Sequence, residues 1–319
     1  MSTVLSVHIE RWPLATPFTI SRGAKTEAVT VVAELIDGAS HRGRGECVPY
    51  ARYGETVEAV AASIEAMRGA VRDGLGRAAL QTALPAGAAR NALDCAFWDL
   101  EAKRSGVPVH RRAGLPPPRP LVTAYTISLG TPDAMAAAAA AASARPLLKV
   151  KLGGIGDPER LRAVRRAAPK SELIVDANEA WDPGHLHDNL AACAEAGVTL
   201  IEQPLPAADD GALAGLSPAI AICADESVHD SASLADLIGK YTAVNIKLDK
   251  TGGLTEALRL ADEAERAGFD LMVGCMVATS LAMAPAVLLA QRSRVVDLDG
   301  PLLLACDRPH GLTYDGSLV

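Results

Sequence analysis

The sequence predicts a closed (β/α)8 barrel joined to a smaller N-terminal α+β domain, on three observations. From residue 123 onward, β-type runs alternate with helical stretches, the pattern of a parallel sheet with crossover helices. Eight such runs recur about every 25 residues, the count and period of a closed barrel. Before that point strands come first and helices follow, without alternation, so this part forms a unit of its own. A doubly wound open sheet is the alternative for the alternating part.

The elements can be justified in order. Val4–Arg11 and Val29–Leu35 are rich in β-forming residues, and Asp37-Gly38 is a turn signal closing the second. Thr56–Arg72 and Ala88–Arg104 carry helical periodicity in good helix formers. Pro116-Pro117-Pro118-Arg119-Pro120 reads as a stiff connector. The α+β domain is therefore expected over residues 1–115 and the barrel over 116–299. Thr123–Ser128 is the first barrel strand, and Thr131-Pro132-Asp133 opens an alanine-rich helix with a capping hydroxyl and an early proline. Leu147–Leu152 follows, with Asp157-Pro158-Glu159 expected to open its helix in the same way. The remaining strands are Leu173–Asp176, Leu200–Glu202, Ile220–Ala224, Ala243–Lys247, Leu271–Val273 and Val295–Leu298. His185–Ala196 and Leu254–Ala267 are helical between them, and Thr279–Ala290 is apolar nearly all round.

Composition excludes several classes. Apolar residues make up 49% of the 319 and charged residues 22%, which is globular and not disordered. A formal charge of −7 opposes a nucleic-acid or anionic-membrane partner. No apolar run is long enough to span a bilayer, and the first residues lack a signal-peptide pattern. Six scattered cysteines without a C-x-x-C pair read as small buried hydrophobes in a reducing compartment. The expectation is a soluble cytoplasmic protein.

In a barrel of this kind, chemistry gathers at the C-terminal ends of the strands. There the sequence has Lys149-Val150-Lys151, Asp176-Ala177-Asn178, Glu202-Gln203-Pro204, Asp225-Glu226, Asn245-Ile246-Lys247 and Asp297-Leu298-Asp299. From Lys151 through Asp176, Glu202 and Asp225 to Lys247 the steps are 25, 26, 23 and 22 residues, so one ionisable group recurs at the same phase of each unit. Any one carboxylate after a strand is often only a helix cap. Three converging on one pole would repel, which a divalent cation relieves. Oxygen ligation favours Mg²⁺ or Mn²⁺, with Asp176, Glu202 and Asp225 as ligands. Glu226 competes for the third position, because neighbouring strand residues point to opposite faces. Asn178 is expected behind the ligands.

Lys149 and Lys151 share one face of their strand, and their mutual repulsion together with the nearby metal is expected to lower their pKa toward that of a general base. Strand six is opposite strand two in an eight-stranded ring, so Lys151 and Lys247 are expected to face each other. A carboxylate substrate held between them could lose its α-proton to one lysine and regain one from the other, with inversion. The metal and Lys149 would stabilise the enediolate. A Schiff-base lysine is the competing use, but it has no need of three carboxylates.

These residues resemble those of the enolase superfamily, whose sites use a Lys or His base with Mg²⁺. The K-x-K and the lone strand-six lysine are similar to its muconate lactonizing subgroup, and within that to the dipeptide epimerases. The likeness spans the chain. It implies a modified (β/α)7β barrel, an N-terminal capping domain, and a segment over 300–319 returning to that cap. It implies a metal-dependent epimerase acting on the C-terminal residue of a dipeptide, the Ala-Glu of murein-peptide recycling, by two-base proton transfer. It also implies roles for further residues. Asp297 and Asp299 match a D-x-D motif that binds the free α-ammonium group. Arg22, in Ile20-Ser21-Arg22-Gly23, matches a capping-loop arginine for the glutamate side chain, and Thr126 matches a strand-one threonine touching substrate. Tyr50 and Tyr53 fall where a second capping loop closes. Ala278 departs from a larger polar residue common in relatives, and Arg42 and Arg44 are extra cations without an assignment. Relatives commonly form homo-oligomers.

Other readings stay open at this point. The same subgroup includes o-succinylbenzoate synthases, N-acylamino-acid racemases and cycloisomerases, whose substrates lack a free ammonium. From another class, a non-catalytic metal- or ligand-binding barrel would keep the fold without turnover.

Overall fold

The computed structural model describes residues 3–38, 41–216 and 219–319. An antiparallel sheet begins the chain: β1 (Thr3–Ile20), β2 (Gly23–Asp37) and β3 (His41–Cys47), in that spatial order. Both long strands outrun their sequence signal. Pro13 and Pro17 mask the second half of β1, and the register slips between Pro13 and Phe18, as proline in an edge strand requires. Helices α1 (Val57–Ala66), α2 (Arg68–Arg72), α3 (Arg77–Ala83), α4 (Ala88–Ser105) and α5 (Val109–Arg112) follow. The long α4 lies on β3 so closely that a Cβ at Gly43 or Gly45 would stand 2.2 Å from Ala96 O or 2.1 Å from Ala92 O. Those two glycines hide β3 from a propensity reading and are what lets α4 pack there.

The second unit is an eight-stranded parallel ring: β4 (Tyr125–Ile127), β5 (Leu147–Lys151), β6 (Glu172–Asp176), β7 (Val198–Glu202), β8 (Ala221–Ala224), β9 (Ala243–Ile246), β10 (Asp270–Gly274) and β11 (Val295–Asp297). It closes where Ala124 N–H donates to Val296 C=O at 2.8 Å and Leu298 N–H donates to Thr123 Oγ1 at 2.8 Å, so the open-sheet alternative falls away. Outer helices are α6 (Pro132–Ala141), α7 (Asp157–Ala167), α8 (Leu186–Glu195), α9 (Leu248–Thr251), α10 (Leu254–Arg266), α11 (Ser280–Ala290) and α12 (Gly300–Leu303). Short 3₁₀ turns replace the helices after β7 and β8. Thr131 caps α6 through Ala134 N–H, but α7 starts differently. Asp157 lies inside its first turn and accepts from Gly153, Gly154 and Trp181 Nε1.

The barrel axis is filled in layers. Ala124, Leu147, Ile174, Leu200, Cys223, Ala243, Met272 and Val295 form one apolar cluster, a residue from each strand or its entry. Side chains alternate along a strand, so the next inward layer two residues on is Thr126, Lys149, Asp176, Glu202, Asn245, Gly274 and Asp297, joined by Asp225 from one residue past the end of β8. An aliphatic plug thus supports a polar ring. The C-terminal segment ties both units together: Ala305 N–H donates to Pro13 C=O, while Ser317 and Val319 bond to Thr123 and Leu121. No helix among the described residues is long and apolar enough to cross a membrane. All six cysteines are free, four of them buried, with Cys275 half-buried and Cys306 exposed.

Candidate active site

The ladder register builds the site. Lys151 pairs with Asp176, and Asp176 with Glu202, at the ends of β5, β6 and β7. Asp176, Glu202 and Asp225 are all buried, and each offers a carboxylate oxygen within 4.8 Å of the others. Glu202 feels the crowding most: burial and then Asp176 push its carboxyl up to about 7 against the pull of Lys149 and Lys247. Asp176 is held below the usual range, because Lys151, Lys149 and Lys247 outweigh its burial. Lys247 and Lys250 do the same for Asp225.

Four ammonium groups surround these carboxylates. Lys151 Nζ donates to Asp176 Oδ2 at 2.6 Å, and Lys247 Nζ to Asp225 Oδ2 at 2.7 Å. The two amines therefore reach the triad from its two ends, on strands four places apart in the ring of eight. Lys149 Nζ bonds Asp297 Oδ2 at 2.7 Å and stands 2.6 Å from Glu202 Oε2, out of line for a hydrogen bond. That oxygen has no hydrogen-bond partner although it is buried. An all-oxygen triad whose central carboxylate oxygen has only an ammonium beside it fits a hard divalent cation.

For Lys149, the lowering expected from a neighbouring lysine and a metal is opposed by the carboxylates around it. Burial lowers Lys149, but Asp297, Glu202 and Asp176 together raise it well above its ordinary value. Lys247 is raised in the same manner by Asp225 and Glu202.

Gly274 explains how Lys247 fits. It occupies the β10 place in the polar ring, and a Cβ there would lie 2.7 Å from Asn245 Oδ1 and 3.1 Å from Lys247 Cε. Asn245 in turn donates to Glu202 Oε1 at 2.7 Å. Lys250, three residues beyond Lys247 in α9, was not legible as a site residue. Its buried ammonium bonds Asp225 Oδ1 and Asp225 C=O, both at 2.6 Å. Only its spacing of one helical turn from Lys247 could have signalled it.

Asp225 and Glu226 are both buried, against the expectation that one faces away. β8 ends at Ala224, so strand alternation no longer applies beyond it. Glu226 Oε1 accepts from Arg22 Nη2 at 2.7 Å and from Asn178 Nδ2 at 3.4 Å. Burial and then Asp225 raise its pKa. Asn178 N–H donates to Asp176 Oδ1 at 2.9 Å. Arg22 reaches in from the turn between β1 and β2, bonding Asn178 C=O at 3.0 Å and Tyr50 OH at 2.9 Å as well. Tyr50 and Tyr53 pack edge to face, and Tyr53 packs on His229 with ring centres 4.7 Å apart. At the other side, Asp299 Oδ2 accepts from Thr126 N–H at 2.7 Å, while Asp297 Oδ1 is buried and unpaired. Burial and Asp297 push the Asp299 carboxyl up to about 7. Arg42 and Arg44 lie elsewhere. Arg42 pairs with Glu34 on the cap sheet, and Arg44 lines a cavity of about 310 Å³ with Trp98, Leu288 and Arg308. Ala278 is buried beneath Gly300, whose missing Cβ would meet its backbone at 3.1 Å.

Residues 2–114 match the N-terminal domain of the mandelate racemase / muconate lactonizing enzyme family, and residues 133–299 match an enolase C-terminal domain-like unit. The chain is 49% identical over 316 residues to the L-Ala-D/L-Glu epimerase of Escherichia coli (strain K12), covering 98% of each. It is also 49% identical over 283 residues to the N-acetyl-D-glutamate racemase of a Pseudoalteromonas species, covering 86% of this chain and 88% of that protein. Among solved structures, an enolase family member from Agrobacterium tumefaciens with homology to dipeptide epimerases, bound to sodium and L-Ala-L-Glu, superposes with a TM-score of 0.97. It is 56% identical, and the match covers 99% of this chain and 97% of that one.

Proposed function

Because the chain belongs to the mandelate racemase / muconate lactonizing enzyme family of the enolase superfamily, we propose that it is a Mg²⁺-dependent dipeptide epimerase. Its reaction inverts the α-carbon of the C-terminal residue, with L-Ala-D/L-Glu as the dipeptide. The observation that carries this reading is the pair of lysines, Lys151 and Lys247, bonded to opposite ends of one carboxylate triad.

Asp176, Glu202 and Asp225 would hold the Mg²⁺, which when bound supplies electrostatic stabilisation for a substrate carboxylate and the charge that develops on it. Lys151 and Lys247 handle the proton at the α-carbon. One removes it from one face and the other delivers a proton to the opposite face, so the centre inverts through an enediolate. Lys149, kept charged by its carboxylate neighbours, is the fixed donor to that charge. Asp297 and Asp299 receive the free α-ammonium group beside Thr126. Arg22 exchanges its hold on Glu226 for the substrate's side-chain carboxylate, the charge-assisted contact that favours glutamate. Tyr50 and Tyr53 close the capping side and keep water out. Six free cysteines and a murein-derived substrate fit a cytoplasmic role in peptide recycling.

The 49% identity to an N-acetyl-D-glutamate racemase favours one second reading, N-acylamino-acid racemisation. Deuterium uptake at the α-carbon in D₂O, read by mass spectrometry, separates the two. The epimerase takes up deuterium with L-Ala-L-Glu in the presence of Mg²⁺, loses the activity with a chelator, and rejects N-acetylated Ala-Glu. Faster exchange on N-acetylglutamate than on the dipeptide would decide for the racemase.

A further inference from the structure

One buried amide in the barrel uses both its oxygen and its nitrogen, and it belongs to a residue with no part in the proposed chemistry. Gln203 follows the ligand candidate Glu202 and is fully buried. Its Oε1 accepts two backbone donors, Asp225 N–H at 2.9 Å and Ser227 N–H at 3.1 Å. Its Nε2 faces Leu205 C=O, Ser227 Oγ and Tyr241 OH, each at 2.9 Å. Two donors on one side and acceptors on the other leave a single orientation for the amide.

The backbone of Gln203 is tied as tightly. Its N–H donates to Cys223 C=O on β8, and its C=O accepts from Glu179 N–H beyond β6, both at 2.9 Å. It holds φ +35°, left-handed for a non-glycine residue, a conformation that persists only where surroundings over-determine it. Behind it, Ser227 Oγ and Tyr241 OH donate to Asp210, which Lys240 holds at 2.6 Å. This network braces the amide from the side away from the site.

One amide oxygen thus fixes the N–H groups on both sides of Glu226. That is what allows Asp225 to turn toward the triad and Glu226 toward Arg22 at a point where no sheet ladder orients them. We infer that Gln203 is a positioning residue, which sets Asp225 for Mg²⁺ and Glu226 for Arg22 across the β7–β8 end. The inference rests on the reading of Asp225 as a metal ligand.

Calorimetric titration of the metal-free, full-length enzyme with Mg²⁺ tests it. Gln203→Met keeps the volume but removes every bond of the amide, and is expected to lose at least about tenfold in Mg²⁺ affinity, as outer partners of metal ligands do. Tyr241→Phe cuts the bracing network but leaves Oε1 on Asp225; it is expected to lower the melting temperature while keeping Mg²⁺ affinity within about twofold. Unchanged affinity in the Met variant, or equal losses in the two variants, overturns the inference. If the Met variant does not fold, Gln203→Glu decides, since it keeps an acceptor for Asp225 N–H. Affinity within about threefold supports the inference, and a tenfold loss overturns it. Wild-type turnover of L-Ala-L-Glu is followed in parallel. Failure of turnover with intact Mg²⁺ binding removes the epimerase reading and leaves the affinities to decide, whereas a wild type that binds no Mg²⁺ sinks both.

Discussion

Two regions of this molecule bury many charges, and they treat them in opposite ways. At the seam between cap and barrel, Glu46 accepts Thr279 N–H at 2.8 Å and Thr279 Oγ1 at 2.6 Å, with Arg308 Nε at 3.0 Å. Asp94 accepts Thr255 N–H, Thr255 Oγ1 and Gln81 Nε2. Neither carboxylate has a buried oxygen left without a hydrogen bond, but Glu202, Asp297 and Glu226 at the barrel mouth each do, although Lys149 lies 2.6 Å from the Glu202 oxygen, and so do Asn178 and Asn245. Saturated charge glues two units together. Unsaturated charge, crowded around a common point, is held ready for something that arrives later.

That contrast makes the two regions respond differently to the same kind of substitution. Glu202→Gln removes a ligand candidate and should cut epimerisation by about a thousandfold, the scale of a lost electrostatic element in catalysis. Its melting temperature without metal should stay near wild type, because burial and Asp176 already oppose the Glu202 charge; a steady-state assay and a thermal melt read both. Glu46→Gln at the seam should behave in reverse. It should cost about 1.5–3 kcal/mol of stability in urea unfolding, the worth of a charge-assisted bond, and leave kcat within about threefold. If Glu46→Gln abolished turnover with stability intact, the division between the two regions would be wrong.

A further effect concerns pH. Asp249 lies on the seam, where burial, against bonds from Val48 N–H and Asn91, pushes its carboxyl from 3.8 up to about 7. Folded protein then binds a proton that the unfolded chain has released, so this group's contribution to stability falls as pH rises from about 4 to about 7. Asp249→Asn should flatten that part of the stability–pH profile, measured by urea unfolding of the metal-free protein across the range.

The sequence made the two regions legible to different degrees. The barrel mouth repeats one phase per βα unit, so Lys151, Asp176, Glu202, Asp225 and Lys247 could be found by counting. Nothing comparable marks the seam. Glu46 meets Thr279 across 233 residues and Asp94 meets Thr255 across 161, and only the docked domains create those pairs. Lys250 and Gln203 escaped for a related reason. Each lies past a strand end, where side-chain direction comes from a turn of helix or a left-handed residue and no longer from the period of two. β3 escaped because its two inward glycines have no β propensity of their own and gain their meaning from α4.

The central claim is that one lysine serves each face of the α-carbon, and stereospecific exchange tests it most directly. Lys151→Ala and Lys247→Ala are each incubated with L-Ala-L-Glu and, separately, L-Ala-D-Glu in D₂O with Mg²⁺, and α-deuterium is followed by NMR. Neither variant should epimerise, and each should exchange the α-proton of one diastereomer only, the opposite one in the two cases. Wild-type epimerisation by either variant, or exchange of the same diastereomer by both, would contradict it.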